Sequence, residues 1–267
     1  MIDDYKQQVA EHFNARVDYD SSEIAHIRAL GLLELVQLQK GQKILDIATG
    51  TGIIAIAASE IVGDEGKIIG VDIAQVLLKK AQEKIESTGL KNIELIEADA
   101  EDLKFAENSF NAIFCSSAIV LFTDIPAILR NWYNWLKPGG VVAFHAWAET
   151  GMMTPIITKA CAKYGVSLPN IHQQLGTPEK CEKLLQQAGF QNIEVKIKQL
   201  GKYLSVDDAK KWWGGTWLHP KNPLLELSAE KIEKIKAEYA TQVEALATEE
   251  GVWLDITTFF VLANKRA

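Results

Sequence analysis

The stretch that most constrains the fold is Lys43 to Ile56, KILDIATGTGIIAI, which reads as a short apolar strand, a glycine turn and the start of a helix. Ile44 and Leu45 supply the strand, and Asp46 sits at its carboxyl end. Gly50 and Gly52 carry no Cβ to hold a ligand off the turn, and a helix starting near Ile53 aims its free N–H groups at it. This is the geometry of a nucleotide pocket.

Gly50-Thr51-Gly52-Ile53-Ile54-Ala55 also satisfies the dinucleotide pattern G-x-G-x-x-A, and Asp72 follows at about the 20-residue spacing that fingerprint asks for. The glycines alone therefore leave two readings. Asp46 separates them, because a carboxylate at the strand end suits a ligand carrying an ammonium group and repels a pyrophosphate laid on the same turn. The charge favours an amino-acid-bearing nucleoside.

From Lys43 the chain alternates strand and helix in the manner of a doubly wound parallel sheet. Strands are expected at 44–47, 67–72, 93–98, 110–116 and 141–147, with helices at 53–62, 74–88 ending at Gly89, and from Pro126 to Trp135. Residues 148–176 break the rhythm, with a helix at 155–164; a connection this long suits a functional cap. The pattern resumes with a Thr177-capped helix closing at Gly189 and a strand at 193–198. Ser205 caps a helix expected to reach Trp213, Ser228 starts a long helix with Ile232, Ile235, Tyr239, Val243 and Leu246 on one face, and Val252 to Ala263 reads as the last strand. Ahead of the sheet, helices are expected at 3–14 and 22–36, the second carrying Ile24, Ile27, Leu30, Leu35 and Val36.

Four ordered motifs, D-x-A-T-G-T-G from Asp46, GVD at 70–72, ADAEDL at 98–103 and LKPGG at 136–140, together resemble the class I S-adenosylmethionine-dependent methyltransferases over roughly Phe13 to Trp147. Ala48, where many members have glycine, resembles the subgroup with the ubiquinone and menaquinone C-methyltransferases. The resemblance implies a Rossmann-like α/β fold: a seven-stranded, mostly parallel sheet with an antiparallel last strand and helices on both faces. Residues 1–40 would form an N-terminal helical lid, and 41–267 the cofactor-binding domain with cap insertions near 148–176 and 203–248. It further implies S-adenosyl-L-methionine as cofactor, with Tyr19 folding over it from the Tyr19-Asp20 pair and strand-four backbone near Ser116 receiving its ammonium group. Cys115-Ser116-Ser117 departs from the Asn- or Asp-containing forms common there, so no catalytic residue is carried over to that place.

The same motifs give the other cofactor contacts. Asp72 closes strand two, where a carboxylate accepts both ribose hydroxyls, or else caps the following helix. Asp99 faces the adenine amino group or ends a turn, and Glu101 and Asp102 are expected to be solvated. Thr51, Ile73, Ala100 and Leu121 complete the expected cofactor set.

Methyl transfer asks the protein to align a nucleophile, exclude water and, where needed, remove a proton. His145, late on strand five, is the candidate catalytic base; within VVAFHAW it also suits a hydrogen-bonded core position. Trp147, Trp212, Trp213 and Trp217 are candidate substrate contacts for an apolar or aromatic acceptor, with Gly214-Gly215 as a hinge, or else they pack a cap onto the sheet.

Composition excludes other classes. A net charge of -7 argues against a nucleic-acid substrate, whose affinity comes from Lys and Arg. Three cysteines without C-x-x-C spacing, and His12, His26, His172 and His219 without metal spacing, predict neither disulfides nor a metal. The first 20 residues lack an apolar signal core and no stretch nears the roughly 20 apolar residues of a membrane span, so a soluble, cytoplasmic enzyme acting on a small-molecule acceptor is expected. Two alternatives stay open: the same fold promoting a cyclisation, or a cofactor-binding protein without turnover.

Overall fold

A computed structural model describes residues 4–16, 19–21, 23–212 and 217–267, Tyr19 through its backbone alone. The chain divides into two compact units: Met1–Ala146 with Glu179–Lys196 and Phe260–Ala267, and Trp147–Pro178 with Ile197–Phe259.

The first unit is built on β1 (Lys43–Ile47), which is buried from its second residue to its last, as expected of a central strand with helices over both faces. It pairs in parallel with β2 (Lys67–Asp72) on one side and β4 (Phe110–Cys115) on the other. β3 (Ile93–Glu97) extends the first side, and β5 (Leu136–Trp147) the second. With β6 (Gln191–Lys198) and β9 (Thr258–Asn264) the sheet runs β3-β2-β1-β4-β5-β9-β6, seven strands, mostly parallel, the last strand of the chain antiparallel. The order of strands reverses between β1 and β4, so the carboxyl ends of these strands open a crevice there.

Helices α1 (Asp4–Asn14), α2 (Glu23–Leu33), α3 (Ile53–Val62), α4 (Gln75–Thr88), α5 (Ile125–Trp135) and, but for its first residue, α7 (Pro178–Ala188) belong to this unit. Gly63 (φ 67°) and Gly89 (φ 73°) end α3 and α4 in conformations that suit glycine. Asp124 caps α5 by accepting from Ala127 N at 2.8 Å, with Pro126 in the first turn. One core cluster joins Leu32 and Leu33 of α2, Ile54 and Ala58 of α3, Ile44, Ile68 and Phe114 of the sheet, and Phe260. Of the apolar residues read on this helix, Ile27 and Leu30 are exposed, while Ala29 and Leu32 are buried. This helix is apolar nearly all round, so its sequence does not mark which side faces in.

The second unit holds α6 (Thr154–Lys163), the single turn α8 (Val206–Ala209), α9 (Ala229–Glu244) and the antiparallel pair β7 (Gly201–Leu204) and β8 (Val252–Asp255). The expected helix from Ser205 to Trp213 leaves helical geometry after Ala209, although Ser205 does cap it, and Trp213 lies outside the described residues. Val252 to Ala263 is two strands instead of one. Asp255 accepts from Thr257 N at 2.8 Å and Thr257 Oγ1 at 2.6 Å, a side-chain turn that breaks the strand between β8 and β9. On α9, Ile235, Tyr239 and Val243 are buried as the spacing predicts, but Leu246 lies past the helix end and is exposed.

Glu101, expected to be solvated, instead ties α1 to the sheet. Its carboxylate accepts from Thr123 N (3.0 Å), Thr123 Oγ1 (2.8 Å), Asp124 N (3.0 Å) and the ammonium of Lys6. Tyr5 Oη donates to the Leu121 carbonyl at 3.0 Å, and Asn14 Oδ1 accepts from Val76 N at 2.9 Å in the first turn of α4. Burial pushes the Glu101 pKa up, but the Lys6, Thr123 and Asp124 hydrogen bonds outweigh it and leave it below 4.5. Its contribution is therefore present above pH 4.5 and lost as pH falls through the depressed value. Glu101→Ala should weaken α1 docking by about 2 kcal/mol, as for loss of a charged hydrogen bond. Amide exchange across 5–14 should rise at least tenfold at neutral pH while the β1 amides stay protected; equal exchange in both proteins would refute the tether.

Candidate functional site

The crevice at the carboxyl ends of β1, β2, β3 and β4 is a two-lobed cleft wholly within the first unit. The larger lobe, about 660 Å³, is walled by Lys6, Val9 and Phe13 of α1, Asp72 and Ile73 after β2, Asp99 and Ala100 after β3, and Ser116, Ser117, Leu121 and Phe122 after β4. The smaller, about 310 Å³, is lined by Ala25 and Ala29 of α2, Asp46, Thr49, Ile53 and Ile54. Ala48, Gly50 and Ser116 line both, so the glycine turn forms the seam.

That turn is set by backbone conformation. Ala48 (φ 54°), Gly50 (φ 55°) and Gly52 (φ 79°) all take left-handed geometry, which folds the chain tightly between β1 and α3. At Gly52 a Cβ would also lie 3.3 Å from the Ala81 methyl, so the glycine lets α4 pack close. Thr51 is fully buried and its hydroxyl donates to Asp20, whose carboxylate also pairs with Lys84 at 3.2 Å.

Two carboxylates dominate the electrostatics. Asp46 is 1% exposed and accepts from Thr49 Oγ1 at 2.6 Å. Burial raises its pKa to about 7; hydrogen bonds from Thr49 and Ala55 oppose that rise, and the nearby Asp72 charge adds to it. Asp72 accepts from Gly50 N at 2.7 Å and Ala74 N at 2.8 Å, and burial raises its pKa as well against those bonds. With a further backbone bond from Ile73, it serves the start of α4 and lines the cleft. Two buried carboxylates in one cleft favour a cation as its ligand.

Asp99 accepts from Glu101 N at 3.0 Å and lies 3.4 Å from Lys6 Nζ. Lys6 is 6% exposed and also lies over the Phe122 ring at 5.3 Å. Sequence reading passed over Lys6, since a lysine in an amphipathic helix ordinarily faces solvent. Leu121, Ile73 and Ala100 line the larger lobe, and Ser116 Oγ lies 3.3 Å from His145 Nδ1. His145 is fully buried and meets the cleft-lining Ser116 through this contact.

The candidate substrate contacts Trp147, Trp212 and Trp217 lie in the second unit. Trp147 is buried with its ring 5.7 Å from His172, Trp217 is buried and donates from Nε1 to the Pro169 carbonyl at 3.0 Å, and Trp212 meets Tyr239 edge-on at 5.5 Å. Trp213 and the Tyr19 side chain lie outside the described residues. Among the described residues no three His, Cys, Asp or Glu side chains gather as a metal requires, and no helix is long and apolar enough to cross a membrane.

A family model described as the ubiE/COQ5 methyltransferase family matches residues 7–202. Demethylmenaquinone methyltransferase of Geobacillus stearothermophilus is 29% identical over 218 residues, covering 73% of this chain and 92% of that protein. The Listeria welshimeri protein of the same name is 36% identical over 111 residues, 42% of this chain and 47% of that one. Among solved structures, the YcgJ protein from Bacillus subtilis has a TM-score of 0.60 at 17% identity, covering 90% of this chain and 98% of that one. Haemonchus contortus phosphoethanolamine N-methyltransferase 2 in complex with S-adenosyl-L-methionine has a TM-score of 0.57 at 20% identity, covering 96% of this chain and 60% of that one. These two likenesses show the fold. With the glycine turn, the cleft and most of the sheet inside the matched span, the chain belongs to the ubiE/COQ5 methyltransferase family and is a methyltransferase that takes its methyl group from S-adenosyl-L-methionine.

Proposed function

We propose that the two-lobed cleft holds S-adenosyl-L-methionine and that the enzyme methylates a ring carbon of a small, apolar aromatic acceptor of the hydroquinone class. The observation that supports the cofactor placement is the pair of buried carboxylates, Asp46 and Asp72, in the walls of one crevice. When bound, the cofactor supplies an electrophilic methyl on a sulfonium. Asp46 in the smaller lobe would receive the ammonium group, Asp72 the ribose hydroxyls and Asp99 the adenine amino group, with Ile73, Ala100 and Leu121 against the apolar faces.

The acceptor class draws on the relatives named demethylmenaquinone methyltransferase, matched across 92% of the Geobacillus stearothermophilus protein. The predominantly apolar larger lobe, with Phe13 and Phe122 in its wall, is consistent with it. Nothing in the cleft favours cyclisation or binding without turnover. Trp147, Trp212, Trp213 and Trp217 remain proposed acceptor contacts, and Tyr19 a proposed cover for the cofactor.

The charge state of Asp46 gives the cleft a pH dependence. Its carboxylate must be ionised to hold an ammonium, and with a pKa of about 7 in the empty cleft it is half protonated near neutrality. Calorimetry should show S-adenosyl-L-methionine binding about tenfold more weakly at pH 6 than at pH 8, and Asp46→Asn should bind weakly at both. A pH-independent affinity in the unsubstituted protein would refute the assignment. In the empty protein the sign reverses. The folded pKa lies above the unfolded 3.8, so this group's contribution to stability falls as pH rises from about 4 to about 7 and stays low beyond it. Asp46→Asn should therefore raise the melting temperature of the empty protein at pH 8, where it weakens the complex.

Asp72→Asn should cost about 1 to 3 kcal/mol of cofactor affinity, since it removes charge from a buried hydrogen-bonded group. The acceptor is tested with a short-tailed 1,4-naphthoquinol lacking the ring methyl, kept reduced, and methyl-labelled cofactor. Label recovered on the ring carbon supports the reading. No label there, with turnover on a non-quinol phenol or an amine, would overturn it.

A further inference from the structure

Ser116 follows β4 and lines both lobes of the cleft, and directly behind it, away from solvent, stands a histidine. The parallel register pairs Cys115 with Phe144, so the next residues, Ser116 and His145, come side by side at the carboxyl ends of β4 and β5. Ser116 Oγ and His145 Nδ1 are 3.3 Å apart. The imidazole has no exposure and packs edge-on against Phe260 of β9, with ring centres 4.5 Å apart.

A wholly buried imidazole carries a desolvation cost that an aliphatic side chain would avoid. A purely structural histidine would need a hydrogen bond, but it would not need that bond to end on a hydroxyl at the seam of the two lobes. We infer that Ser116 and His145 form a proton relay running from the acceptor in the cleft into the sheet, with Ser116 as the catalytic contact and His145 as the positioning and proton-storing residue behind it. The inference rests on the hydroquinone reading above.

The step balances with the groups present. The acceptor hydroxyl passes its proton to Ser116 Oγ while Ser116 passes its own to His145 Nδ1, leaving a phenolate in the cleft and an imidazolium behind it. The electron-rich ring carbon then forms a bond to the methyl carbon, and the breaking carbon–sulfur bond leaves its electron pair on sulfur. The methylated dienone loses its ring proton to water, and its oxygen regains a proton from the imidazolium through Ser116. The net product is one proton, one thioether and one methylated ring. The relay requires Nδ1 to be the unprotonated nitrogen of the resting imidazole.

The ionisable groups around this corner are Asp46 across the smaller lobe, Asp72, Asp99 and Lys6 in the larger, and Cys115 beside Ser116 on β4, whose thiol is pushed far above its ordinary value by burial. From β9 the neighbour is the Phe260 ring. The anionic Asp46 and Asp72 favour the imidazolium that the relay creates.

The test uses the whole chain with the reduced short-tailed naphthoquinol. Ser116→Ala should lower kcat roughly 10²-fold or more with little change in KM or in calorimetric affinity for the cofactor, and the acid limb of the pH–kcat profile should vanish. Ser116→Thr should restore most of the rate, and His145→Gln should lose the acid limb while keeping the fold. An unchanged pH profile in Ser116→Ala would overturn the relay. Independently of any acceptor, nitrogen resonances of isotope-labelled histidine, assigned with His145→Gln, should show Nδ1 of His145 unprotonated and shifted in Ser116→Ala. A protonated Nδ1 in the resting enzyme overturns the relay whatever the acceptor is. If the unsubstituted enzyme leaves the naphthoquinol unmethylated, the acceptor reading falls, and the nitrogen resonance decides the relay alone.

Discussion

The carboxylate of Asp72 holds the site in place. One oxygen takes the N–H of Gly50 in the turn after β1, and the other takes the N–H of Ala74 at the start of α4. These bonds fasten together the two loops that form the floor of the cleft, and they do so with a charge buried at a cost. Asp46, a strand away, adds a second buried carboxylate that accepts from the Thr49 hydroxyl. Both groups are poorly solvated before any ligand arrives, so the folded protein stores electrostatic tension that a cation relieves on binding. Stability is given up in the empty protein and recovered in the complex.

Much of this arrangement was legible in the sequence because it is local. A strand, a turn demanding left-handed geometry and a helix follow one another within Lys43 to Val62, and the residues that set them are adjacent in the chain. Parallel strands buried on both faces read as apolar runs, and β2, β4 and β5 were placed the same way, while the edge strand β3 was placed by the alternation of strand and helix. What escaped notice depends on partners far apart. Glu101 looked like a solvated acid because its four donors, at Lys6, Thr123 and Asp124, lie in other segments. Lys6 gave no local sign that its ammonium would be buried against two carboxylates.

The late part of the chain misled for a different reason. Val252 to Ala263 is apolar enough to pass for one strand, and the Asp255–Thr257 turn that divides it rests on a single Asp among strand-forming neighbours. β7 is only four residues long, and Gly201 within it leaves room for the Trp253 ring, which lies where a Cβ would be 2.1 Å away. Such a strand is defined by its cross-strand partner more than by its own residues.

The tethers of α1 also bear on the order in which the molecule assembles. Tyr5 binds Leu121 across 116 residues of sequence and Lys6 binds Glu101 across 95, so these two tethers of α1 cannot close until the first four strands of the sheet have been made, and the Asn14–Val76 bond itself spans 62 residues. Closing chain segments of that length costs entropy that only a formed sheet repays, which places α1 docking after the folding nucleus. Contacts made that late leave the folding rate nearly untouched and act on the rate of unfolding instead. The helix that walls the cleft is thus a brake on the loss of the native state, and its presence in the nascent chain does nothing to hasten that state's arrival.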